Sequence, residues 1–177
     1  LREQMNAWLS EIRPGTRIDV TENSDMNLIG LRYSFIEGKD VSNKFRPTNV
    51  GFGLSYLFPL LLAILSSERG SLLLLENPEA HLHPYGQSQI GKLIARAAAN
   101  GIQVIVETHS DHLLNGIRIA VKDALIKSKD VKLLFFDGKI DERFKVIVRS
   151  PVIDAKGQLS EWPDGFFDQN ENDLDSL

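Results

Sequence analysis

The alternation of apolar runs and amphipathic stretches that begins at Ser71 constrains the fold of this chain most strongly. Residues 72–75 are a continuous apolar run, typical of a strand that is buried on both faces. Residues 85–100 carry apolar side chains at helical spacing, and residues 102–106 are a second apolar run. A helix between two such strands requires a right-handed crossover between parallel neighbours. The sequence therefore predicts an α/β fold, a mostly parallel sheet with flanking helices.

The other elements follow from the same periodicities. The region after residue 106 is predicted to hold a helix and two further strands, the last antiparallel at an edge: 111–128, 131–136 and 144–148. The region before residue 71 is predicted to hold two helices and two strands: 2–12, 17–20, 28–36 and 51–67. We expect an α/β lobe over residues 1–149 and a small C-terminal appendage over residues 150–177.

Composition excludes several classes of protein. The formal net charge of −4 gives no dominant basic surface for nucleic acid. The absence of cysteine excludes disulfides, zinc–thiolate sites and cysteine nucleophiles, and it fits a reducing cytoplasm. The longest apolar runs, residues 57–65 and 72–75, are well short of the ~20 residues that span a bilayer, so no membrane partner is expected. Because the chain begins with Leu1, we expect a fragment of a longer protein.

Chemically active residues follow the two apolar strands. Glu76 ends the first strand, within Glu76-Asn77-Pro78-Glu79, and His109 follows the second. Ligands of open α/β sheets collect at the carboxyl ends of the strands, so these side chains are expected at one edge of the sheet. A carboxylate there suits Mg²⁺ beside the phosphates of a nucleotide, and a histidine there suits contact with a γ-phosphate or its attacking water. Ser110 or Asp111 is expected to cap the following helix.

The two motifs ENPEAHLHP and VIVETHSDHLLNGIR resemble those of AAA ATPases related to RecF, SMC proteins and the Old family. A tail Trp162-Pro-Asp-Gly-Phe-Phe167 narrows the resemblance to bacterial members that end in a small domain of unknown function. The resemblance covers residues 45–168. It implies the C-terminal lobe of an ABC-type P-loop ATPase that binds Mg²⁺ and ATP and closes as a homodimer over two ATP molecules.

The resemblance also implies roles for individual residues. Glu76 takes the position of the Walker B residue that binds Mg²⁺, and His109 that of the switch histidine. Gly51, Gly53 and Ser55 lie where the ABC signature contacts the γ-phosphate of ATP held by the other subunit, although glycines also suit a tight turn entering a helix. The partner beyond ATP is expected to be DNA or an effector protein, in DNA repair or phage defence.

Asn77 departs from the family pattern, because the usual catalytic base at this nucleotide-contacting position is a glutamate. An amide accepts a proton poorly, so Glu79 is expected to take over, or Glu76 to act through water. The alternative is a nucleotide-dependent switch or assembly module that hydrolyses ATP slowly or not at all.

Two further patterns in the sequence suggest other chemistry. Gly86-Gln-Ser-Gln-Ile-Gly91-Lys92 imitates a phosphate-binding loop, but its apolar residues have helical spacing and Leu93 replaces the required hydroxyl, so we interpret it as helix and expect the true loop in missing N-terminal sequence. A second alternative is a metal-dependent hydrolase, whose ligands would be His81, His83 and Glu79, with His112.

The tail contains three aromatic side chains, Trp162, Phe166 and Phe167. We expect them to anchor the appendage on the core.

Overall fold

Two parallel strands with a helix between them form the centre of the protein. The computed structural model describes residues 1–140 and 146–177. Strand β4 (Leu72–Glu76) pairs in parallel with β5 (Gln103–Glu107), from Leu72 opposite Gln103 to Glu76 opposite Glu107. Helix α3 (Pro84–Ala99) connects them, and α4 (Asp111–Lys122) follows β5. The predicted α/β fold, with a parallel sheet and flanking helices, is confirmed.

The segment before the parallel strands is an antiparallel sheet with a helix on each side of it in sequence. Its elements are α1 (Arg2–Ile12), β1 (Thr16–Asn23), β2 (Leu28–Glu37), β3 (Asp40–Val41), a short 3₁₀ turn (Pro47–Asn49) and α2 (Phe52–Ser66). The three strands lie in the order β1-β2-β3 and pair antiparallel. The predicted helices and strands of this region are therefore present, with β1 extending further than residues 17–20.

One core joins both regions. Buried side chains of α1, α2 and α3 pack together, and Leu73, Leu75, Val104 and Val106 of the parallel strands pack partly buried against them. The opposite face of the strands is open, because Leu72, Leu74 and Ile105 are 54%, 70% and 54% exposed. The prediction that the first strand is buried on both faces is wrong, since the helices that pack on the pair cover only one face.

Helix α2 is the most apolar element of the chain. Its side chains Leu54, Leu57, Leu61 and Ile64 are buried at helical spacing, and Pro59 lies inside the helix. Across residues 1–140 and 146–177, no helix combines the length and the apolar character needed to cross a membrane.

Helices α3 and α4 approach each other closely through a glycine on each helix. A Cβ atom on Gly91 would lie 2.2 Å from the carbonyl oxygen of Leu113, and one on Gly116 would lie 2.1 Å from that of Ser88. The glycines of the Gly86–Lys92 run therefore serve helix packing, since a Cβ atom on Gly86 would also meet Ile12 at 3.1 Å. The interpretation of this run as helix is confirmed.

The C-terminal region differs from the prediction. Helix α4 ends at Lys122 and not at residue 128, and Ala124 beyond it has a left-handed φ of 55°. After a 3₁₀ turn (Ser128–Asp130), β6 (Phe135–Ile140) pairs antiparallel with β7 (Val146–Arg149). A short helix α5 (Gln169–Asp175) follows near the end of the chain.

The prediction of a third parallel strand over residues 131–136 is wrong. The segment pairs with no parallel neighbour among the described residues, and its apolar Val131 and Leu133 instead pack against a cluster that includes Ala95 and Ala120 of α3 and α4. The predicted antiparallel fourth strand is confirmed as β7, although residues 144 and 145 lie outside the described residues.

Aromatic side chains anchor the C-terminal tail. Phe166 is only 7% exposed and contacts the rings of Phe135, Trp162 and Phe167, at centroid distances of 5.1, 5.4 and 4.7 Å. Arg118 of α4 places its guanidinium over the Trp162 ring at 5.6 Å. The predicted anchoring role of the aromatic tail is confirmed, with Trp162 still 44% exposed.

The close approach of α3 and α4 predicts the effect of Gly116→Ala. Helix propensity alone would stabilise the protein by about 1 kcal/mol. We expect the reverse, a loss of about 1–3 kcal/mol of unfolding free energy, because the new methyl group overlaps the Ser88 carbonyl. Urea unfolding measures the difference, with Lys122→Ala in the same helix as control. A stabilised Gly116→Ala variant would contradict the packing described here.

Candidate functional site

The carboxyl ends of the parallel strands bring two carboxylates together. Glu76 and Glu107 are direct neighbours in the register of β4 and β5. Both glutamates are exposed. Glu76 lies two residues after Leu74, and Glu107 two residues after Ile105, so both side chains point to the exposed face of the sheet. Sequence reasoning predicted Glu76 but did not single out Glu107, although its position at the end of an apolar run was the available signal.

The loop that follows β4, residues 77–83, is tightly wound. Asn77 and His81 have left-handed φ angles of 44° and 63°. Asparagine is one of the few residues that adopts this conformation readily, which gives a local reason for an amide at position 77. The backbone N–H of Asn77 donates to the carbonyl of Glu107 at 3.0 Å, so the loop starts tied to the end of β5.

Glu79 ties the same loop to the segment after β5. Its side chain is buried, with 6% of the residue exposed, and its Oε1 accepts the backbone N–H of His109 at 3.1 Å. The imidazole of His109 is 84% exposed, and its Nε2 lies 3.1 Å from Oε1 of Glu107. The His109 ring is therefore accessible to solvent, while the Glu79 carboxylate holds the backbone of His109.

A third connection runs through Ser110 and Gln87. The Ser110 hydroxyl accepts the N–H of Leu113 at 3.0 Å, which confirms it as the cap of α4, and donates to Oε1 of Gln87 at 2.6 Å. The amide of Gln87 donates in turn to the carbonyl of Leu82 at 2.9 Å. Gln87 lies inside α3, and no pattern in the sequence indicated this contact.

The glycine-led segment before α2 lies against the same loop. Gly51 is the N-cap of α2 and offers no side chain to its free N–H groups. A Cβ atom on Gly53 would lie 2.6 Å from the carbonyl oxygen of His81, so only glycine fits this approach. The hydroxyl of Ser55 donates to the carbonyl of Pro47 at 3.0 Å. The buried Tyr33 hydroxyl donates to the carbonyl of Leu54 at 3.2 Å and thereby fixes the first turn of α2.

Two open cavities flank the loop 77–83. One of about 320 Å³ lies between the Gly51–Gly53 segment and His81 and His83. The other, of about 200 Å³, is lined by Glu76 and Asn77 together with Tyr56. The carboxylate of Glu76 and the amide oxygen of Asn77 are hard donors that fit Mg²⁺.

The alternative metal ligands do not assemble. The ring of His81 packs on Phe52 and Tyr56, at centroid distances of 5.5 and 5.1 Å, while the Glu79 carboxylate is bound to the backbone of His109. Within the described residues, no group of three or more histidine, aspartate or glutamate side chains is arranged to hold a metal ion. Among the described residues, the predicted ligands of the metal-hydrolase alternative therefore do not converge on one point.

Comparison with known families decides the class of this domain. Residues 6–115 match the model of an AAA domain family described as putative AbiEii toxin, type IV toxin–antitoxin system. The chain belongs to this AAA domain family. Residues 126–177 match a second family, described as a protein of unknown function, which covers the C-terminal part of the AAA chain. No protein of curated function matches the sequence.

Solved structures of SMC heads share the fold of this chain. A structure from work on ATP-driven dimerization and DNA-stimulated activation of SMC ATPases is 19% identical, with a TM-score of 0.55, covering 84% of this chain and 81% of that one. An Smc head bound to the C-winged helix domain of ScpA is 18% identical, with a TM-score of 0.57, covering 86% of this chain and 42% of that one.

A third similar structure is the Smc head domain of Pyrococcus furiosus with an extended coiled coil, bound to the C-terminal domain of ScpA. It is 15% identical with a TM-score of 0.56, and the match covers 99% of this chain and 37% of that one. The chain thus spans less than half the length of both Smc head structures. The resemblance to the RecF and SMC type of P-loop ATPase, and to its fold, is confirmed.

The buried Tyr33 predicts how stability depends on alkaline pH. Burial raises the pKa of Tyr33 from 10.0 to about 12. Because the unfolded chain releases this proton first, stability is complete below pH 10 and falls, by at most about 1.4 kcal/mol per pH unit, as the pH rises towards 12. Urea unfolding of Tyr33→Phe should show a shallower decline over this interval than the wild type. Tyr56→Phe is the control, and equal declines in all three proteins would contradict the assignment.

Proposed function

We propose that this AAA domain supplies the Walker B and switch segments of an ATP-binding and ATP-hydrolysing head. The observation that supports this most directly is the paired strand end, where Glu76 and Glu107 are neighbours and His109 follows. Membership of the AAA family and the SMC-head fold point to the same chemistry. Because the only phosphate-loop-like run lies inside α3, the phosphate-binding loop would come from sequence outside these 177 residues.

Each residue at the sheet edge has a proposed role. Glu76, with the Asn77 amide beside it, would hold Mg²⁺ next to the phosphates of ATP. A bound Mg²⁺ ion neutralises charge on those phosphates. The exposed imidazole of His109 would contact the γ-phosphate or its attacking water, and its bond to Glu107 orients the ring. ATP and Mg²⁺ are therefore the proposed ligands.

The segment at the start of α2 is proposed to complete the site of a second subunit. Gly51 and Gly53 leave the backbone open to a phosphate, and the hydroxyl of Ser55 would turn from Pro47 towards it. The proposed assembly is a homodimer closed over two ATP molecules. One similar structure comes from work on ATP-driven dimerization of SMC ATPases, which supports the same behaviour here.

We also propose a partner, a biological setting, domain boundaries and a location for the complete protein. DNA or an effector protein would respond to closure of the dimer, and one similar structure belongs to ATPases described as DNA-stimulated. DNA repair or phage defence is the proposed setting, and the family description names a toxin of a toxin–antitoxin system. We retain residues 1–149 as the ATPase lobe and 150–177 as the appendage, and the cytoplasm as the proposed location.

A second candidate function is a nucleotide switch that hydrolyses ATP slowly or not at all. Asn77 favours it, because an amide stands where the family uses a catalytic carboxylate. The left-handed φ of 44° at this residue shows that the local backbone itself suits asparagine. Nucleotide binding and dimerisation would then carry the function without turnover.

Turnover of Mg-ATP by the protein in its full natural length tests the first candidate. Glu76→Gln should lower kcat by at least ~100-fold because the metal loses its carboxylate, and His109→Ala by ~10²–10³-fold because γ-phosphate contact is lost. His112→Ala, on the first turn of α4, is the matched control and should retain wild-type turnover. ATP binding without turnover in the wild type would select the switch instead. Unchanged turnover in Glu76→Gln would overturn the assignment.

Restoring a carboxylate at position 77 separates the two candidates. In Asn77→Glu the new carboxylate can accept a proton from water, so we expect kcat to rise by ~10-fold or more. The same change should lower the unfolding free energy by about 1–2 kcal/mol, because glutamate adopts a left-handed φ less readily than asparagine. Asn77→Gly, which tolerates the φ angle but adds no base, is the control. An unchanged kcat in Asn77→Glu would show that the amide does not limit hydrolysis.

A further inference from the structure

Glu79 is a buried carboxylate without a cationic partner in the described part of the chain. It is 6% exposed, and no Lys or Arg among the described residues forms an ion pair with it. Its Oε1 accepts the backbone N–H of His109, whereas its Oε2 is buried without a hydrogen-bond partner in that part of the structure. Burying a carboxylate with only one of its oxygens hydrogen-bonded is costly. The burial of Glu79 therefore calls for a structural or functional explanation.

The backbone around Glu79 directs the side chain towards the segment that follows β5. The N–H of Ala80 donates to the carbonyl of Asn77 at 3.0 Å, and the N–H of Leu82 donates to the carbonyl of Glu79 at 3.1 Å. These turns place Glu79 at the centre of the loop 77–83, between the two left-handed residues Asn77 and His81. Its side chain therefore crosses from the end of one strand to the end of the other.

The crossing fixes the position of His109 relative to Glu76. Within the described residues, two direct hydrogen bonds connect the loop 77–83 to the end of β5 and the segment after it. One joins the backbones of Asn77 and Glu107, and the other runs from the N–H of His109 to the side chain of Glu79. A hydrogen bond from a backbone N–H to a charged carboxylate is stronger than one to a neutral group. The backbone bond sets where the His109 side chain starts, and the 3.1 Å contact of its Nε2 with Oε1 of Glu107 orients the exposed ring.

We propose that Glu79 is a positioning residue, whose buried carboxylate holds the backbone of His109 so that its imidazole faces the nucleotide site at Glu76. Its effect on turnover rests on the proposed ATPase function, but the restraint on His109 does not. This role differs from the catalytic base predicted from the sequence. Glu76 and Asn77 line the cavity at the strand ends, whereas Glu79 does not, and its one bonded oxygen faces a backbone amide.

Two substitutions separate positioning from base catalysis. In Glu79→Gln the side-chain carbonyl can still accept the N–H of His109 but cannot take a proton from water. In Glu79→Ala the acceptor is removed. Positioning predicts that Glu79→Gln retains kcat within a few fold, whereas Glu79→Ala loses kcat by ~10-fold or more, with little change in KM. A base predicts that both substitutions abolish turnover.

Hydrogen exchange of the His109 amide provides the second measurement, on the protein in its full natural length. We expect wild type and Glu79→Gln to show similar protection and Glu79→Ala to exchange ~10-fold faster or more at this amide. Glu68→Ala, at an exposed glutamate before β4, is the matched control and should change neither measurement. If Glu79→Ala fails to fold, the turnover and exchange of Glu79→Gln decide between the two roles.

The outcomes also separate this proposal from the proposed function. Faster exchange at His109 in Glu79→Ala, in a protein without any ATP turnover, supports the restraint and removes the ATPase. Wild-type exchange and wild-type turnover in Glu79→Ala would overturn the positioning role while leaving the ATPase intact. Loss of turnover in Glu79→Gln with a protected His109 amide would also overturn it, and would identify Glu79 as the base.

Discussion

The parallel pairing of β4 with β5 is the constraint on which the rest of the site depends. Its register places Glu76 beside Glu107 at one edge, so the loops that leave the two strands start side by side. Three hydrogen-bonded links then hold those loops together, through the backbone of Asn77, the carboxylate of Glu79 and the amide of Gln87. A shift of the register by one residue would turn the two terminal carboxylates to opposite faces and separate the site.

The packing of α3 against α4 supports the two loops that leave the strand ends. Helix α3 starts directly after the loop 77–83, and α4 starts at Asp111. The two helices are held close together because Gly91 lies against the backbone of Leu113 and Gly116 against that of Ser88. At its other end, α4 holds the C-terminal region, because Arg118 donates to the carbonyl of Gly157 at 2.8 Å and covers Trp162. The helix that begins beside His109 therefore also contacts the C-terminal region.

Features that depend on local periodicity, such as the helices and the two parallel strands, could be predicted from the sequence. Features that depend on tertiary contacts could not. The convergence of Glu76 and His109 at one sheet edge followed from two apolar runs and the helix between them. The burial of Glu79 could not be predicted, because it depends on a backbone N–H thirty residues further along the chain. The third parallel strand was wrong for a related reason: Val131 and Leu133 are apolar because they pack on α3 and α4, and not because they pair with β5.

A structure of the protein in its full natural length, with Mg²⁺ and a non-hydrolysable ATP analogue, tests most directly whether the paired strand ends form a nucleotide site. We predict that a carboxylate oxygen of Glu76 coordinates the metal, directly or through one water. The imidazole of His109 should lie within hydrogen-bonding distance, about 3 Å, of the γ-phosphate or its attacking water. A bound nucleotide that contacts neither residue would contradict the account.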